Sequence, residues 1–184
     1  TLVVFDTRKR TLMLDLAVIV VLQISAMVFG VSVLYEARPV YVAAVGDEFQ
    51  VVQATEVTEE NLAESRTEFP LLRPRWVGTV APTTSLLIDA VDMVRQVGGG
   101  RGHFPQLHIP YESMAKEVLA KSRPTSDLIS HNGAKADEVR SWLKSHGHDD
   151  RSARYQPIKI SGSEFVVILD GKTGAVVGIA PFKP

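Results

Sequence analysis

One apolar segment, residues 16–34, constrains this chain more than any other feature, because it contains no charged side chain. As a helix it reaches roughly 28 Å, close to the ~30 Å hydrocarbon core of a bilayer. Its apolar residues occupy every face, unlike the single stripe of a helix buried in a soluble domain. A cleaved signal peptide is disfavoured by the length and by the lack of a small-x-small site before Glu36. The sequence therefore predicts a transmembrane helix over residues 12–35.

The charges around this segment predict its orientation. Three cations precede it and are its candidate membrane-orienting residues: Arg8, Lys9 and Arg10. The two charges that follow it cancel. Because positive charge resists translocation, we expect the N-terminal side to be cytoplasmic and residues 36–184 to lie outside the cytoplasm. Residues 1–11 are interpreted as a cytoplasmic turn and the remnant of an upstream membrane helix, with a disordered start as the alternative.

Some small or polar side chains within the apolar segment are candidates for contact with another membrane helix: Gln23, Ser25, Ala26, Gly30 and Ser32. Small residues let two helix backbones approach closely, and a glutamine amide can hydrogen-bond across such a contact. The alternative is that lipid tolerates these residues, since a serine hydroxyl can bond back to its own helix.

The remaining residues, 36–184, have the pattern of a small α+β domain. Two β-rich runs joined by a Gly-Asp turn predict an N-terminal hairpin over residues 40–54. Three strand-like runs predict a C-terminal meander over residues 155–180. Helices are predicted between them, at residues 58–65, 84–97, 111–122, 127–130 and 134–145. Residues 98–110 are predicted to be a loop, and the hairpin and the meander to join in one antiparallel sheet.

No pattern in the chain predicts catalysis, a bound cofactor or a metal site. His146, His148, Asp149 and Asp150 are possible metal ligands, but this spacing just after a helix is typical of a solvated loop. The glycines of residues 98–102 follow a predicted helix, whereas the glycines of a phosphate-binding loop lead into the N-terminus of a helix. They therefore favour a flexible connector. The acidic and glycine residues at 170–174 are typical of a hairpin turn.

Composition excludes further classes of function. The chain has no cysteine, so it has neither disulfides nor thiolate chemistry. Its formal net charge of −1 provides no basic field that would attract nucleic acid. We therefore expect no nucleic-acid partner, and the lack of a catalytic motif predicts no small-molecule substrate.

The residues on both sides of the apolar segment carry a resemblance to a known family. Residues 4–12 read Val-Phe-Asp-Thr-Arg-Lys-Arg-Thr-Leu, residues 14–19 read Leu-Asp-Leu-Ala-Val-Ile, and residues 35–41 read Tyr-Glu-Ala-Arg-Pro-Val-Tyr. This pattern resembles the type IV pilin accessory family, the TfpX/TfpZ group. The similarity is dense over residues 3–42 and continues more thinly to the closing residues 169–178.

The resemblance implies an inner-membrane, chaperone-like accessory protein of fimbrium biogenesis whose C-terminal domain is periplasmic. Its implied partners are the major type IV pilin, other pilus assembly proteins and the membrane, and it supplies no catalytic residues. One alternative is a membrane-tethered periplasmic ligand-sensing domain, which predicts an apolar pocket with convergent polar groups. Another is an enzyme, which requires a clustered nucleophile or acid–base pair that the sequence does not display.

Overall fold

The computed structural model describes residues 12–65, 68–160 and 163–184. The chain forms two units, Thr1–Arg38 and Pro39–Pro184. The predicted orienting residues lie outside the described residues: Arg8, Lys9 and Arg10.

The first unit contains one long helix, α1, over Leu12–Glu36. Its segment Met13–Glu36 is long and apolar enough to cross a membrane, and none of its apolar window is buried by the other described residues. Just beyond the helix, the Arg38 guanidinium lies 3.8 Å from the centre of the Tyr35 ring. The same side chain donates a 2.7 Å hydrogen bond to the Tyr35 carbonyl. Arg38 thus satisfies a carbonyl that the end of the helix leaves without an intrahelical partner.

The second unit is a mixture of strands and helices, so the predicted α+β class is confirmed. The strands are β1 Pro39–Val45, β2 Glu48–Gln53, β3 Arg75–Thr79, β4 His108–Pro110, β5 Arg123–Pro124, β6 Ala153–Ile160, β7 Ser163–Asp170 and β8 Val176–Ala180. The helices are α2 Glu59–Ala63, α3 Ser85–Gln96, α4 Tyr111–Lys121, α5 Thr125–His131 and α6 Ala136–Ser145.

All these strands belong to one sheet with the order β4-β3-β1-β2-β6-β7-β8, and β5 pairs beside β6. Two of the pairings are parallel: β1 with β3, where Tyr41 lies opposite Arg75, and β2 with β6, where Phe49 lies opposite Ile158. The sheet is therefore mixed, and the prediction of an antiparallel sheet is wrong. Residue alternation determines which side chains face the core, but it does not determine the direction of the neighbouring strand.

The prediction of a loop over residues 98–110 is wrong for the last three of these residues. His108–Pro110 forms β4, which pairs antiparallel with β3. A three-residue strand that contains a proline has no readable alternation, so only its pairing with β3 identifies it.

The core covers both faces of the sheet. On one face, α4 places Val118 against Val167 and Leu169 of β7. On the other face, α5 and α6 cover Tyr155 and Ile168. The cluster around α4 also includes Trp76 of β3 and Val176 of β8, which are far apart in the strand order. The sheet therefore curls around α4, and this curl brings β8 near β3.

Candidate functional site

Strand β8 forms one edge of the sheet. Among the described strands it pairs only with β7, where Gly178 lies opposite Ile168 and Ile179 opposite Val167. Ile179 is 40% exposed. An unpaired edge presents backbone N–H and C=O groups that can pair with another extended chain. The register shifts between Ile168 and Leu169 of β7, which leaves Val177 of β8 as an extra residue, so the regular part of this edge is restricted to residues 178–180.

A groove of about 520 Å³ lies beside this edge. Trp76, Tyr111 and Ala115 form one side of its lining, and Val176 and Val177 of β8 form another. Glu112 adds a carboxylate to this largely apolar surface. A free strand edge beside an apolar groove suits an extended peptide, because the edge supplies backbone hydrogen bonds and the groove accepts side chains.

The hydroxyl of Tyr111 ties α4 to the turn before β8. It donates a 2.7 Å hydrogen bond to the carbonyl of Gly174. Burial, together with the nearby carboxylate of Glu112, raises the pKa of Tyr111 to about 12. The hydroxyl therefore stays protonated at physiological pH, and the wall of the groove is held in place by a permanent donor.

A second cavity, of about 690 Å³, lies where the glycine-rich segment meets β2 and β6. Gln50, Glu56, His103 and Lys159 line it together with apolar residues such as Val94. The Nε2 atom of His103 lies 3.6 Å from a carboxylate oxygen of Glu56. Convergent polar groups within a partly apolar wall are typical of a site for a small molecule.

The five candidate contact residues of α1 do not share one face. At about 100° per residue, Gln23, Ala26 and Gly30 lie within roughly 60° of one another, whereas Ser25 and Ser32 lie on the opposite side. All five are exposed. The Ser32 hydroxyl donates a 2.8 Å hydrogen bond to the carbonyl of Phe29, as expected of a serine that satisfies itself within a helix.

The histidine cluster after α6 is divided between separate contacts. The His146 ring stacks on Trp142 with 3.8 Å between the ring centroids. His148 lies beside Asp170, 3.9 Å from the carboxylate, while Asp149 accepts hydrogen bonds from the backbone N–H groups that follow it. Over the described ranges 12–65, 68–160 and 163–184, no group of three histidine or acidic side chains is arranged to hold a metal ion.

The glycine-rich segment is packed closely against the sheet, so its interpretation as a flexible connector is wrong. A Cβ atom added to Gly102 would lie 3.0 Å from the Cβ of Ala43, and one added to Gly100 would lie 2.6 Å from the amide of Gln50. These glycines let the backbone approach β1 and β2 directly. The groove beside β8 and this cavity were both missed in the sequence, because their walls combine residues from distant segments.

No protein-family model, curated protein or solved structure matches this chain. The candidate site therefore rests on geometry alone.

Proposed function

We propose that this chain is an inner-membrane accessory protein that assists a type IV pilin in stability, assembly or surface display. In this proposal α1 spans the inner membrane and the α+β domain works in the periplasm in a chaperone-like way. Its partners are the major pilin, other pilus assembly proteins and the membrane. The pilin assignment rests on the sequence resemblance over residues 3–42.

The observation that carries the proposal is the outer edge of β8, which has no partner among the described strands and lies beside an apolar groove. A chaperone-like protein must hold a segment that its client has not yet buried in an assembly. The outer side of β8 offers backbone groups for such a segment, and Trp76, Tyr111 and Val176 offer an apolar wall for its side chains.

The exposed apolar surface of α1 supports the membrane part of the proposal. Large side chains such as Val21, Met27 and Phe29 are each more than 60% exposed, and burial in lipid removes this surface from water. A pilin with its own apolar helix meets α1 in the same bilayer. The face formed by Gln23, Ala26 and Gly30 has the small residues that close helix packing requires.

A membrane-tethered ligand-sensing domain is the second candidate function. The cavity of about 690 Å³ favours it, because Gln50, Glu56, His103 and Lys159 bring polar groups together there. This function predicts ligand binding at the cavity and no contact between the β8 edge and a pilin.

A photo-crosslinking residue at Ile179 tests the proposed contact and the proposed function together. In the bacterium that encodes the chain, the native gene is deleted and the photo-reactive version is expressed in its place. We expect the deletion to lower the ratio of surface pili to total pilin, and the complemented strain to yield a pilin adduct after irradiation. The measurements are pilus recovery by shearing and immunoblotting for the adduct.

Leu86 is the matched control position, because it is an apolar residue of α3 that is 82% exposed. A photo-reactive group there is expected to give little pilin adduct. Unchanged surface pili after gene deletion would remove the accessory function. Equal adduct from the two positions would remove the specific role of the β8 edge.

A further inference from the structure

A short loop before β3 exposes two leucines. Residues 70–74 read Pro-Leu-Leu-Arg-Pro and are here called the dileucine loop. Leu71 is 65% exposed and Leu72 is 89% exposed, and Arg73 beside them is also exposed. The prolines at both ends restrict the conformations of the loop, so the leucines are presented on a stiff segment.

Both ends of the dileucine loop are held beside Tyr41 of β1. On one side, the Phe69 ring meets the Tyr41 ring edge-on, with 6.3 Å between the centroids. On the other side, Arg75 lies opposite Tyr41 in the parallel pairing of β3 with β1. Tyr41 is only two residues from Pro39, where β1 begins. The loop therefore emerges at the end of the sheet where the chain enters the domain, here called the Pro39 end.

The Pro39 end is tied to α1 by a very short connection. Helix α1 ends at Glu36, so three Cα–Cα steps separate it from Pro39. These steps span at most about 11 Å. If α1 spans a bilayer, as the proposed function requires, covalent geometry holds the Pro39 end near the lipid headgroups. The present inference rests on that anchoring.

The charges near the loop favour an anionic surface. Arg73 is exposed, and Arg75 makes a long contact of 3.9 Å with the carboxylate of Glu68, which is 94% exposed. The acidic helix α2 is held elsewhere, because its Asn61 accepts a 3.1 Å hydrogen bond from the amide of Gln106. That glutamine lies two residues before the start of β4, whose first residue pairs with the far end of β3.

We infer that the dileucine loop is a membrane-docking element for an anionic phospholipid leaflet. Leu71 and Leu72 enter the boundary between headgroups and acyl chains, and Arg73 and Arg75 contact lipid phosphates. A bilayer surface accepts a projecting apolar pair without a complementary pocket, and the cations beside the pair match its negative charge. The domain is thereby held against the membrane at a second point besides α1.

Site-directed fluorescence in lipid vesicles tests this inference with the full chain. The 184 residues contain no cysteine, so the substitution Leu72→Cys creates one labelling site for an environment-sensitive dye. The labelled chain is reconstituted into vesicles of phosphatidylcholine with phosphatidylglycerol, and lipids brominated along their acyl chains serve as quenchers. We expect a blue shift of the dye emission and a marked loss of intensity with brominated lipid.

Two further labelling positions separate the possible outcomes. A dye at Leu86→Cys, an apolar position on α3 that is 82% exposed, is expected to remain unquenched. A dye at Phe29→Cys in α1 reports on the anchoring itself. Quenching at position 29 but not at position 72 would overturn the inference and leave the anchoring intact. A lack of quenching at both positions would contradict the anchoring on which the inference depends.

The arginine contribution has its own test. In the Leu72→Cys background, the added changes Arg73→Ser and Arg75→Ser are expected to reduce quenching in the anionic vesicles. Quenching that is unchanged by these substitutions would overturn the proposed phosphate contacts. Because the vesicles contain no other protein, a loop that docks on a protein partner instead would leave the dye in water and so overturn the inference.

Discussion

At the scale of single residues, His108 illustrates how burial determines protonation. The side chain is 1% exposed, and its Nε2 atom lies 2.9 Å from the carbonyl of Gly102. Since a carbonyl only accepts, Nε2 carries the proton of the neutral ring. Burial lowers the pKa of His108 from 6.5 to about 4, and the hydrogen bond to Gly102 only partly opposes this shift. The folded protein therefore favours the neutral imidazole.

This lowered pKa predicts a stability loss on acidification. The unfolded chain binds a proton near pH 6.5 and the folded chain only near pH 4, so the unfolded state gains protons first as the pH falls. Between pH 7 and pH 4 we expect wild type to lose up to about 3 kcal/mol more free energy of unfolding than a His108→Gln variant. Denaturant unfolding in detergent, followed by tryptophan fluorescence, measures the difference.

An exposed histidine provides the control for this pH dependence. His131 lies at the end of α5 and is exposed. The His131→Gln variant is measured over the same pH series as His108→Gln, so that the effect of losing the buried ring is compared with that of losing an exposed one. Parallel pH profiles for wild type and His108→Gln would contradict the assignment of this loss to His108.

At the scale of elements, α4 is held to the sheet by the turn that precedes β8. Gly174 in this turn has a φ of +73°, which is the left-handed region that favours glycine. A Cβ atom there would collide with the backbone carbonyl of Ala115 in α4. The missing side chain thus permits both the turn and the close approach of the helix.

A pair of glycine substitutions separates these two requirements. Gly46 in the β1–β2 turn has a φ of +69° and nothing within 4 Å of an added Cβ. Gly46→Ala is therefore expected to cost only backbone strain, about 1–2 kcal/mol. Gly174→Ala is expected to cost about 1–3 kcal/mol more, because α4 must also move. Chemical unfolding of both variants checks this order, and equal losses would show that the helix contact is unimportant.

At the scale of the whole molecule, α1 leaves a large apolar surface uncovered. No part of its apolar window is buried by the described remainder of the protein. The sequence disfavours a cleaved signal peptide here, and the fate of the helix tests that expectation. The two functions of the helix differ in their outcome, because a signal sequence is removed, whereas an anchor stays attached to the domain.

Two aspartate substitutions near the middle of α1 test whether this helix anchors the chain in a membrane. A charged residue at the centre of a membrane helix costs about 2.5–3.5 kcal/mol. We expect the wild-type chain to keep its full length and to resist carbonate extraction, whereas Ile24→Asp with Val28→Asp weakens membrane retention. The control carries Ile24→Ala and Val28→Ala. Release of the wild-type chain by carbonate would contradict a membrane-spanning α1.

Local patterns in the sequence predicted most of the individual elements. The helix predicted over residues 58–65 corresponds to α2, where the Thr58 hydroxyl accepts a 3.3 Å hydrogen bond from the N–H of Asn61. The helices predicted over residues 84–97 and 134–145 correspond to α3 and α6. Capping and helical periodicity act over a few residues, so they can be read directly from the chain.

By itself, the sequence determined the apolar helix, the α+β class and the approximate residue ranges of most strands, because each depends on neighbouring residues. Only the tertiary structure decided the two parallel pairings and the curl of the sheet around α4. The groove beside β8 and the position of Leu72 at the Pro39 end follow from these pairings and from the curl of the sheet. They depend on contacts between distant segments, and the period of a strand carries no information about its partner.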